Sequence, residues 1–139
     1  MKPFKLHVAA VSIATLCTFG VGTGAIADDA NSQAKRTILD RHDQSEVPGK
    51  ELVLGTAELP AGAVIGWHTH YGDEFGYVLK GDLILKTRGK PDQPLKAGDH
   101  FFNPRGVVHS LMAAPGTAGG TALSTWVVDK GKPLAQPAN

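Results

Sequence analysis

From residue 51 to residue 129 the chain alternates short apolar runs with clusters of Gly, Pro and Asp. Within the runs apolar side chains recur at every second position, as in Leu52 and Leu54 or Phe75, Tyr77 and Leu79. That period puts successive side chains on opposite faces of a strand, so each run predicts a strand with one face turned to a core. The predicted strands cover 51–59, 64–70, 75–79, 83–87, 100–103, 107–113 and 121–129, with a further edge strand over 36–40. The breaks at 80–82, 88–91, 97–99, 104–106 and 115–120 carry the residues that turns require. No long stretch holds the period of a helix. An all-β chain of this kind is expected to close into an antiparallel sandwich or barrel.

A length of 139 residues allows one domain. Its start reads as a signal peptide over residues 1–27. Lys2 and Lys5 precede an uncharged stretch from Val8 to Ala27, and the small residues Ala25 and Ala27 suit signal-peptidase cleavage. Retention as a membrane anchor is the alternative, and Ser12, Thr15 and Thr18 weigh against it by interrupting the apolar run. Cleavage removes Cys17, the only cysteine, and with it any disulfide chemistry. The expected organisation is a signal peptide at 1–27, an N-terminal arm at 28–48, a β-barrel domain at 49–129 and an extended tail at 130–139. The protein is expected in the periplasm or secreted, with no membrane partner after cleavage. Its formal charge is +1 and its basic residues are scattered, which excludes a nucleic-acid partner.

Two segments carry candidate chemistry. In the first, His68 and His70 stand two apart and share one face of a strand. Glu74 follows a bend at 71–73 and can return towards them on the next strand. Two imidazoles and a carboxylate make a facial ligand set suited to Fe(II) and related ions. In the second, His109 follows the turn at 104–106, and a second hairpin can deliver it as a third imidazole. By alternation Val64, Gly66, Val78, Leu111 and Ala113 share a face with these residues and form the expected substrate pocket. They are small and apolar and offer no general acid or base. Other residues take plainer readings. His100 is structural, His42 is solvated, and Asp73 faces away from Glu74. Trp67 and Trp126 serve packing or a subunit contact, and Arg105 is an exposed loop residue.

The spacing Gly62-x5-His68-x-His70-x3-Glu74-x6-Gly81, followed by Gly98-x5-Pro104-x-Gly106-x2-His109, resembles the two signature motifs of the cupin superfamily. Residues 82–97 separate them, as in compact members, and the overall likeness is to small single-domain cupins described as quercetin-dioxygenase-like. One departure is that the second motif normally closes with Asn, where this chain has Ala113. The resemblance implies a jelly-roll β-barrel. It also implies one divalent transition-metal ion on His68, His70, Glu74 and His109, with Fe(II) or Mn(II) favoured and Ni, Cu, Zn or Co open. The implied partner is a small-molecule ligand. Dioxygenase-like chemistry on an enolic, phenolic or carbonyl substrate is expected first. A metal-dependent isomerase or lyase, or a non-enzymatic binding module for a metabolite or the metal, are the alternatives.

The resemblance also implies a homodimer paired through the N-terminal strands. The residues agree, because both faces of the run at 75–79 are apolar and a single barrel buries only one. Ile65 and Trp67 are expected to extend the outward patch formed by Phe75, Tyr77 and Leu79.

Overall fold

The structure, a computed structural model, describes residues 33–139, so the signal peptide expected at 1–27 lies outside the described residues. Nine strands follow in order: β1 (Lys35–Asp43), β2 (Lys50–Pro60), β3 (Val64–Thr69), β4 (Gly72–Thr87), β5 (Gln93–Lys96), β6 (His100–Asn103), β7 (His109–Ala113), β8 (Gly119–Asp129) and β9 (Gln136–Pro137). All of their pairings are antiparallel, and the described residues contain no helix. No helix among them is therefore long and apolar enough to cross a membrane.

Strand β4 organises the molecule. Its first half, Gly72 to Gly81, pairs with β8 and β6, and β8 leads on through β2 to the edge strand β1. Its second half, from Asp82, pairs with β5 and β7, and β7 leads on through β3 to β9. One long strand thus belongs to two sheets, which curl over a shared core as an antiparallel jelly-roll half-barrel.

The alternation pattern splits this element at 80–82, where the structure instead has one strand that bends. Gly81 sits at the bend with φ +77°, and a Cβ there would lie 2.0 Å from the carbonyl oxygen of Gly119. Only glycine meets both demands, a left-handed backbone and a close neighbouring strand. A bulge against β8 between Val78 and Lys80 flips the inward phase, from Glu74, Gly76 and Val78 before it to Leu83 and Leu85 after it.

The core gathers Leu59, Ile65, Val78, Leu83, Leu85, Leu95, Phe101 and Leu111 from both sheets. Phe101 reaches it across Gly76, its partner on β4, whose missing Cβ would stand 2.0 Å from the ring. A second bulge lies in β3. Ile65 opposes Leu111 and His68 opposes His109, so three steps on β3 match two on β7. The extra residue breaks the alternation. Ile65 turns inward at 6% exposure and Val64 outward at 37%, the reverse of what counting back from His68 predicts. Ile65 therefore cannot extend the outward apolar patch, and Trp67, 41% exposed, lies on β3 in the other sheet with Arg88 over its ring.

Candidate metal centre

The two motifs meet at one end of the half-barrel. His68 lies near the end of β3, with His70 just beyond it, Glu74 in the first half of β4 and His109 at the start of β7. All four are buried. The three histidines bring one ring nitrogen each to within 4.8 Å of one another. The Glu74 Oε2 stands 3.3 Å from His70 Nε2 and 3.1 Å from His109 Nε2.

Each imidazole is oriented through its other nitrogen. His68 Nδ1 donates to the carbonyl of Gly66 at 2.8 Å and His109 Nδ1 to that of Val107 at 2.9 Å. His70 Nδ1 donates to the carbonyl of Leu134 at 2.6 Å. A carbonyl can only accept, so each Nδ1 carries a proton, and in the neutral imidazole that leaves the lone pair on Nε2. Asn103, opposite Glu74 on β6, donates to Glu74 Oε2 at 2.8 Å. Trp126, opposite Glu74 on β8, points its indole N–H at His70 Nε2 from 3.3 Å.

This arrangement fits a cation. In its neutral form His109 Nε2 is a buried acceptor with no hydrogen-bond partner, and it stands 3.1 Å from a carboxylate oxygen. Two acceptors so placed repel unless positive charge lies between them. Burial holds the His68 imidazole neutral, pushing its pKa down to about 3, with His109, Arg36 and His70 adding to the effect. Burial alone would raise the Glu74 carboxyl, but His109 and His70 outweigh it and hold the group well below its ordinary value. A neutral His68 and an ionised Glu74 are the states in which such groups ligate metal.

Residues 55–127, which contain all four site residues, match the family described as cupin domain. The chain is a cupin. Over 102 residues this cupin is 38% identical to the oxalate-binding protein of Thermotoga maritima, covering 65% of this chain and 84% of the relative. Over 52 residues it is 35% identical to the dimethylsulfoniopropionate lyase DddQ of Ruegeria pomeroyi, covering 37% of this chain but only 26% of the lyase. Among solved structures, a cupin-like protein of Thermotoga maritima superposes with a TM-score of 0.61 at 25% identity, over 78% of this chain and 77% of that one. The DddQ structure superposes with a TM-score of 0.56 at 26% identity, over 63% of this cupin and 43% of the lyase.

The site opens into a cavity of about 40 Å³. Of the residues expected in its wall, Leu111 lines it. Val78 and Ala113 lie in the hydrophobic core instead, Val64 faces out, and Gly66 serves through its carbonyl. The wall includes several residues that the alternation argument missed: Arg36 and Ile38 from β1, Ser124 and Trp126 from β8, and Leu134 and Ala135 from the tail. Trp126 is therefore a site residue and not only packing. Its position was legible, because Ala122 and Ser124 precede it at the same inward alternation on β8.

The remaining residues stay outside. His100 stacks on Phe75 at 5.8 Å between ring centroids, on the exposed face. Asp73 faces away and accepts from the backbone N–H of Arg105 at 2.9 Å. Arg105 itself is exposed, bonded to the carbonyl of Tyr71 and paired with Asp129 at 2.6 Å, so it ties loops together.

Proposed function

We propose that this cupin is an exported protein that holds one divalent ion on His68, His70, Glu74 and His109. A small anionic oxygen donor, a carboxylate or an enolate, binds beside the ion and is oxidised in dioxygenase-like fashion. The carrying observation is the cavity, which joins the histidine and carboxylate set to a guanidinium, Arg36, in one small enclosed space. Fe(II) or Mn(II) suits this mixture of imidazole and carboxylate, and such an ion when bound supplies Lewis acidity and O2 activation. The chain supplies the rest. The carbonyls of Gly66, Val107 and Leu134 orient the imidazoles, and Asn103 holds Glu74. Arg36 offers charge to the anion, while Ile65, Leu85, Phe101 and Leu111 exclude water. A water needs about 10–15 Å³ of such space, so the cavity suits a ligand of a few heavy atoms. The relative named for binding oxalate supports a small anion.

One observation favours a second reading, capture without turnover. Apart from the four site residues and Arg36, no described residue lining the cavity titrates, so none can shuttle a proton. Calorimetry and O2 uptake on Fe(II)- and Mn(II)-loaded protein separate the two readings. Oxalate and a panel of enolic compounds should give heat only when the ion is present, with O2 uptake for a true substrate. Heat without O2 uptake for any compound selects the binding reading, and no heat at all overturns both. An Arg36→Leu variant should keep its metal and bind the anion about tenfold or more weakly, as loss of a charge-assisted hydrogen bond implies.

We also infer that the protein is a homodimer. Phe75, Tyr77, Leu79 and Phe102 are each about half exposed, on an outer sheet face that Leu52 and Val127 extend. In this chain β1 pairs with β2 at the sheet's edge and leaves those side chains uncovered. A contiguous apolar face of this kind needs a cover, and a second copy bringing its N-terminal strand supplies one. Sedimentation of the exported form at micromolar concentration should give twice the monomer mass. A single species of monomer mass would remove this inference.

A further inference from the structure

We propose that the segment Leu134–Asn139 is a strap that positions His70 and forms one wall of the ligand cavity. The proposal rests on reading the histidine cluster as the metal site. His68 and His109 take their orienting carbonyls from residues two positions earlier in the chain, Gly66 and Val107. His70 takes its carbonyl from Leu134, sixty-four positions away. Two of the three imidazoles are therefore set by residues just before them in the chain, and the third is set only when the tail is docked.

The docking is built from several contacts. Leu134 is buried with Val53 and Val128, and Trp126 packs against that cluster. Trp126 also points at His70 Nε2, so the tail approaches both nitrogens of one ring, directly at Nδ1 and through the indole at Nε2. Strand β9 then pairs with β3 beside His68 and Thr69, and Ala138 N–H donates to the carbonyl of Trp67 at 2.9 Å. Arg88 closes the run, donating to the carbonyl oxygen of Asn139 at 2.6 Å while lying over the Trp67 ring. Leu134 and Ala135 meanwhile line the cavity. A two-residue strand at a sheet edge is the least firmly held part of this wall, and local opening starts at such elements.

The test compares the full chain with a chain ending at Pro133 and with Leu134→Ala. Two measurements are needed: the imidazole nitrogen resonances of metal-free protein, and titration with Co(II) followed by its absorption spectrum. In the full chain all three imidazoles should show the Nδ1–H form. In the shortened chain His70 alone should lose it, while His68 and His109 keep theirs. Co(II) affinity should fall about 10–100-fold, the usual cost of losing a partner that orients a metal ligand. A general loosening of the fold would move all three imidazoles together. If His70 keeps its Nδ1–H form and Co(II) binds as before, the strap is overturned. Should the shortened chain fail to fold, Leu134→Ala decides on the same selective change at His70. Should the full chain bind no Co(II), the metal reading falls, and the imidazole resonances still judge the strap.

Discussion

His109→Ala protein, freed of metal and reloaded with Mn(II), is expected to retain less than about a tenth of the ion carried by the unsubstituted protein. Outer partners of metal ligands are typically worth about 10–100-fold in affinity, and a ligand itself is worth at least as much. The substitution removes the buried Nε2 that faces Glu74 with no hydrogen-bond partner. An ion held only by the folded state contributes about 2.7 kcal/mol at a hundred times its Kd. For a domain of this size that increment raises the melting temperature by about 10 °C or more. His109→Ala should lose most of the increment. His100→Ala should keep both metal and melting temperature, because His100 is exposed and stacked on Phe75 away from the site. Equal metal loss in the two variants would place the ligands elsewhere.

Metal-free protein is expected to lose stability steeply as pH falls below 6.5. The unfolded chain protonates His68 near 6.5, whereas burial, helped by His109, Arg36 and His70, delays protonation in the folded state to about 3. Between those values the unfolded state binds more protons, so stability falls with falling pH, by up to about 1.4 kcal/mol per unit. The contribution is fully present above 6.5 and gone below about 3. Glu74 acts in the same direction lower on the scale. Its folded carboxyl is held below 4.5, so its contribution is present above 4.5 and is lost as pH drops through the lowered value. Urea unfolding at pH 7, 6, 5 and 4 should show the fall. A His68→Gln variant should flatten it from 6.5 to 4.5 and leave the Glu74 part. Identical slopes in the two proteins would show that His68 does not carry the effect.

Most strand positions and the histidine cluster are legible in the sequence because turn residues and motif spacing are local, whereas the short strands β5 and β9 carry no apolar alternation and escape it. Gly81, Gly98 and Gly106 mark bends, and His68 and His70 share a face whatever happens before them. The cavity wall is not legible in the same way. Gly66 within the run is a general sign of a bulge, but it does not say which neighbour the extra residue turns in, and here Ile65 turns in and Val64 out. Arg36 reaches the cavity only because β1 pairs with β2 and β2 with β8, pairings between residues far apart in the chain. The tail escapes for a related reason. Two prolines and a polar composition read as extended coil, yet Leu134 finds a buried seat beside Val53 and Val128. Composition reports how well a segment would stand alone, and this segment is held by what it docks against.

The passage of β4 through both sheets determines how this molecule can breathe. Were the halves separate slabs joined by loops, they could part like a clam shell to admit a ligand. Here the backbone of Gly72–Thr87 runs unbroken from one to the other, ladder-bonded to β8 and β6 on one side of the bend and to β5 and β7 on the other. Parting the halves would expose the core they share, Leu59, Val78 and Phe101 from one sheet and Ile65, Leu83 and Leu111 from the other, a cost close to global unfolding. Traffic to a buried centre in such a frame must pass through the ends, where single segments can lift away while the frame stays shut.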